Sequence, residues 1–127
     1  RDEEQATGIA ARLAEINTER QQTEQAVFAE ACRTLDADPA RLRDRVLVVS
    51  GEDWHPGVIG IVAARLMERY SRPAIVISLH EGEGRGSGRA PDAFDLHSAL
   101  AACAQHLLRF GGHAAAAGLE IEEEKLP

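Results

Sequence analysis

Between residues 45 and 79 the chain reads strand, helix, strand, and this order constrains the fold more than any other feature. Residues 45–50 (RVLVVS) are a short β-branched run suited to a buried strand. Pro56 and Gly57 then open a stretch in which Val58, Ile59, Ile61, Val62, Leu66 and Met67 place apolar groups at helical spacing as far as Tyr70. Proline suits a first helical turn, where its missing N–H would have no partner. Pro73 breaks the chain, and residues 74–79 (AIVISL) read as a second buried strand. Two strands joined by one helix in so short a length predict a parallel pair with a right-handed crossover.

Ahead of this unit, residues 2–35 hold no proline and only Gly8, and are mostly Ala, Glu, Gln, Arg and Leu, a strongly helical composition. Ile9, Leu13 and Ile16 make one apolar stripe and Val27, Ala31 and Leu35 another, with residues 17–25 (NTERQQTEQ) polar on every face between them. A helix apolar at both ends and wet in the middle suits a bridge between two bodies; the plainer reading is an ordinary surface helix. Asp36-Ala37-Asp38-Pro39 ends it. Further on, residues 82–89 (GEGRGSGR) predict a turn and a third strand. Residues 94–110 predict a helix with Asp95 as N-cap, residues 111–113 a new turn, and residues 119–122 a last strand. The expected fold is α/β, a small mixed sheet flanked by helices around a βαβ core, preceded by a long connector helix. Residues 1–40 form the connector and 41–127 the domain.

A length of 127 residues suits one small core. The chain begins at Arg1 and reads as a piece of a longer protein; it holds no run with the apolar length of a membrane span and nothing resembling a signal peptide, so a cytoplasmic location without membrane contact is expected. Cys32 and Cys103 are far apart, lack metal-ligand spacing, and read as small buried side chains. The net charge of -7 argues at first against nucleic acid. Its distribution is more informative: residues 1–40 carry -5, residues 120–127 carry -3, and residues 41–119 carry +1 with arginine as their sole cation besides histidine. Arginine's planar fork grips phosphate in a bidentate way that lysine cannot copy.

Chemistry has three candidate locations. Asp53-Trp54-His55-Pro56-Gly57 lies between the first strand and its helix, where α/β sheets gather ligands and helix N–H groups face anions. Trp54, the single tryptophan, can stack on a base or pack beneath the loop, and His55 can cap the helix or touch a ligand. In Gly84-Arg85-Gly86-Ser87-Gly88-Arg89, alternate glycines leave one edge of the strand bare, so that another backbone or a ligand can approach closely, and Ser87 and Arg89 point to the same side, a hydroxyl and a guanidinium suited to phosphate. The alternative there is a flexible glycine turn with solvated arginines. In Phe110-Gly111-Gly112-His113, followed by four alanines and Gly118, backbone N–H groups beside an imidazole suit a phosphate on which charge develops.

None of these is a complete active site. His80, His97 and His106 stand singly, without the Asp/His cluster that metal-dependent hydrolysis needs. Ser87 has no nucleophile-elbow context. The chain by itself is expected to be inert as an enzyme.

WHPGVIGIVAARL, GRGSGR followed by FDLHSAL, and FGGHAAAAGLEI, in this order over residues 46–121, resemble the DHH-associated domain of RecJ-type exonucleases. The Gly-Gly-His-Ala-Ala-Gly element marks the wider DHH phosphoesterase superfamily, and the other two narrow the match. The resemblance implies an accessory domain of a 5′–3′ single-stranded DNA exonuclease in DNA repair and recombination. It also implies manganese or magnesium held by a catalytic DHH domain of the same polypeptide, whose motifs this chain lacks. By resemblance, Ser87 and Arg89 receive the 5′-terminal phosphate. His113 reaches the scissile phosphate, Gly111, Gly112 and Gly118 shape its loop, and Trp54 and His55 belong to a motif of less defined role. The alternatives are an accessory domain for oligonucleotides or cyclic dinucleotides, and an interaction module docking its acidic helix and tail on a basic partner.

Overall fold

The computed structural model describes residues 2–91, 94–112 and 115–123. In chain order these form α1 (Asp2–Asp36), a 3-10 turn (Arg41–Arg43), β1 (Leu47–Glu52), α2 (Pro56–Tyr70), β2 (Ala74–His80), β3 (Glu83–Arg89), α3 (Leu96–Ala102), a second 3-10 turn (Ala104–His106), β4 (Arg109–Gly112) and β5 (Ala116–Glu122). The five strands lie in the order β1-β2-β3-β5-β4, β1 and β2 parallel and every other pair antiparallel. The sheet is therefore mixed, with the expected βαβ unit at one edge.

Local chemistry explains most boundaries. His55 caps α2, its Nδ1 accepting from the Gly57 N–H at 2.9 Å, and Pro56 takes the first turn. The helix stops at Ser71, which adopts φ 54° ahead of Pro73. Glu81 and Gly82, with φ 50° and 82°, form the two-residue turn of the β2–β3 hairpin, which needs positive φ at both positions. Asp95 caps α3 by accepting from the Ser98 N–H at 3.0 Å.

Alternation along the strands sorts the core into two. On one face Leu47, Val49, Ala74 and Val76 pack against Val58, Ile59, Val62 and Leu66 of α2 and against Val27, Ala31 and Leu35 of α1. On the other, Ile75, Ile77 and Leu79 meet Leu119 and Ile121 of β5 and Leu96 and Leu100 of α3. β2, central to both, is buried from Ala74 to Leu79, as its unbroken apolar run requires. Of the two stripes on α1 only the second is covered: Ile9 and Leu13 are each 61% exposed.

Four expectations change. The helix foreseen over residues 94–110 ends at Ala102, because the chain beyond it turns back to pair with β5 over Arg109–Gly112, beginning with Leu108 N–H to Glu120 O at 2.8 Å. The turn expected at Gly111 and Gly112 is the end of that same strand. The last strand starts earlier than foreseen, at Ala116, since small residues let it lie flat on β3. Cys32 is buried, but Cys103 is exposed just beyond α3.

Candidate functional site

Strand pairing brings three residues from different parts of the chain into one row. Ser87 of β3 pairs with Gly118 of β5, which pairs with Gly111 of β4. Cross-strand partners share a face, so one hydroxyl is followed by two positions without side chains. Nothing lies within 4 Å of where a side chain on Gly111 would start, and at Gly118 the nearest atom is a carbonyl oxygen at 3.8 Å. The row forms the floor of a groove of about 460 Å³, walled by Pro56 and Ile59 of α2.

Arg89 stands on the same face two positions from Ser87, and α2 runs above both. A side chain on Gly60 would begin 2.7 Å from Arg89 Nη2 and 3.7 Å from Ser87 Oγ. The Arg89 guanidinium, half-buried, donates to the Gly88 carbonyl at 2.8 Å, and no carboxylate of the described residues lies at ion-pair distance from it. A partly desolvated cation without a counter-charge favours an anion. Arg85, on the same face, is paired with Glu120 at 3.6 Å and is more exposed.

The glycines between these residues have a different purpose from the one expected. Gly84, Gly86 and Gly88 face away from the groove, where side chains on them would meet Ile77, Ile121, Leu119 and Leu96 at 2.7–3.1 Å. They admit the second core rather than a ligand.

The Asp53–Gly57 segment divides by residue. Trp54 is 5% exposed and donates its indole N–H to Glu30 Oε2 at 2.8 Å, while its ring lies over Gly51. His55 is exposed and occupied in capping α2. A second hollow of about 420 Å³, lined by Asp53, Trp54, Ser78 and His80, adjoins the groove across Pro56 and Arg85. His80, expected to stand singly, bonds Asp53 at 2.7 Å with Glu81 at 3.6 Å, and the Asp53 hydrogen bond together with the Glu81 charge raises its pKa. His113 lies outside the described residues, directly after Gly112. Among the described residues no group of three or more His, Cys, Asp or Glu side chains is placed to hold a metal ion, and no helix is long and apolar enough to cross a membrane.

Sequence reasoning paired Ser87 with Arg89 and singled out Gly111 and Gly118, which strand register unites. It named Pro56 within its first candidate segment but missed Ile59 as a groove wall and Gly60 as the neighbour of Arg89. The one available signal was a glycine inside an otherwise strongly apolar helix.

Residues 43–127 match the family model described as the DHHA1 domain. The chain belongs to the DHHA1 domain family. This DHHA1 domain is RecJ-like over nearly its whole length. It is 37% identical to the single-stranded-DNA-specific exonuclease RecJ of Bacillus subtilis over 99% of the chain and 16% of that protein. It is also 37% identical to RecJ of Escherichia coli over 95% of the chain and 22% of that protein. Among solved structures, RecJ of Thermus thermophilus in complex with Mn2+ superimposes with a TM-score of 0.76 at 32% identity, over 90% of the chain and 16% of that one. The chain thus spans 16–22% of the length of these relatives. Every groove residue lies inside the family match, whereas α1 lies outside it but inside the alignments to RecJ.

Proposed function

We propose that this DHHA1 domain holds the 5′ end of single-stranded DNA for a RecJ-like 5′–3′ exonuclease. Ser87 and Arg89 take the terminal phosphate, the Gly111–Gly118 floor passes the backbone, and His113 reaches the scissile phosphate from beyond β4. The observation that carries this reading is the half-buried Arg89 guanidinium, free of any described carboxylate, on the same strand face as Ser87, whose row continues in two glycines. Charge-assisted hydrogen bonds from such a fork are short, directional and strongest where water is excluded.

Hydrolysis belongs, on this reading, to a catalytic DHH domain of the same polypeptide that carries the manganese or magnesium, in the cytoplasm. Residues 1–40 act as the connector to it. The exposed Ile9, Leu13 and Ile16 stripe supports that role, since it offers an apolar face to a second body.

The test is a titration of the chain at low salt with single-stranded DNA bearing a 5′-phosphate or a 5′-hydroxyl. Tighter binding of the phosphate, lost in Arg89→Ala, is expected. Equal binding of the two ends would overturn the assignment.

A further inference from the structure

Gly60 is a glycine in the interior of a fifteen-residue helix, a position where alanine would make the better helix. Its neighbours explain the exception. The nearest atom to a Cβ built there is Arg89 Nη2 at 2.7 Å, then Arg89 Cζ at 3.5 Å and Ser87 Oγ at 3.7 Å. A real Cβ does not come that close, so any side chain at this position and the present guanidinium position exclude each other. Arg89 is the far end of a flexible chain and can swing away at little cost to the fold, but only by leaving Ser87.

We propose that Gly60 is a positioning residue for the phosphate site: its bare Cα forms the seat that holds the Arg89 guanidinium beside Ser87. The inference rests on the proposed phosphate role of Ser87 and Arg89. Three elements converge here without sharing a sequence motif. β3 supplies the hydroxyl and the cation on one face, the β2–β3 pairing fixes that face, and α2 lies across it at a position without a side chain. The guanidinium's bond to the Gly88 carbonyl anchors its other side.

A positioning role and a purely structural one predict different results for Gly60→Ala. Removing a glycine from a helix interior favours the helix, so the thermal midpoint is expected to hold or rise. Displacing one charge-assisted donor should lower the preference for 5′-phosphorylated over 5′-hydroxyl single-stranded DNA by about tenfold. Gly8→Ala, a helix glycine with nothing within 4 Å, serves as the control and should leave the preference unchanged. The Arg89 Nε–Hε resonance, assigned with Arg89→Lys, should move more in Gly60→Ala than that of any other arginine.

Full phosphate preference in Gly60→Ala, together with its loss in Arg89→Ala, would overturn the role of Gly60 and leave the proposed function standing. A parent chain indifferent to the 5′ end would overturn the phosphate reading. The Arg89 resonance would then decide the seat alone, an unmoved signal refuting it and a displaced one supporting it.

Discussion

The Trp54 indole N–H donates to Glu30 Oε2 at 2.8 Å, joining the loop before α2 to the C-terminal part of α1. From Gln5 to Gln22 α1 is exposed, whereas Val27, Ala31 and Leu35, on either side of Glu30, enter the core. Trp54 is thus where the helix meets the domain. Trp54→Phe keeps most of the bulk and removes the donor, and is expected to cost about 1 kcal/mol. Trp54→Ala also empties the space over Gly51 and should cost about 3–5 kcal/mol. Denaturant unfolding of both variants checks the pair of values, and equal costs would mean that packing contributes nothing.

Arg89→Ala is expected to remove roughly 1.5–3 kcal/mol of binding to a 5′-phosphorylated strand while leaving binding of the hydroxyl end nearly unchanged. Ser87→Ala removes a neutral donor and should cost less, about 1 kcal/mol. Competition between the two ends, measured at one low salt concentration, reads both.

Two adjacent glycines should respond in opposite ways. Gly112 has φ 125°, and a side chain there would begin 2.6 Å from the Ala116 carbonyl oxygen, so Gly112→Ala should destabilise by more than about 1 kcal/mol. Gly111 faces open space, and Gly111→Ala should stay within about 0.5 kcal/mol. Gly118→Val fills the groove floor without meeting the core, so DNA binding should fall while the thermal midpoint holds. Loss of both together would mean that the floor is structural.

His80 should titrate above the ordinary imidazole value of about 6.5, because it bonds Asp53 and lies near Glu81. A raised value means that the pair's stabilisation is complete below the ordinary value and is lost as pH rises through the folded-state value. His80→Asn should therefore flatten the pH dependence of stability across that interval, slightly, since both partners are exposed. A ring-proton titration gives the midpoint, and a value at or below the ordinary one would contradict the account.

The βαβ unit, α1 and the cap at Asp95 were legible in the amino-acid order because each depends on neighbours a few positions away, whereas His55 stayed open between cap and ligand contact. Pro56, Pro73, the Asp95–Ser98 spacing and the β-branched runs act within one turn or one strand. The pairing of Ser87 with Arg89 followed equally from the two-residue period of a strand.

Other features were set by contacts between distant segments. Residues 109–112 have no strand character of their own beyond Phe110 and became β4 because β5 offered unpaired backbone groups. The three alternate glycines look like a ligand approach in sequence, and only the sheet shows that Leu96, Ile77, Leu119 and Ile121 fill their side. Trp54 could face a base or the core until α1 brought Glu30 to its N–H. Gly60 acquires meaning only when α2 lies across β3. Sequence therefore determined the local elements and one polar face, through short-range chemistry. Tertiary structure decided which residues share the groove, because strand register and helix docking are properties of the packed whole.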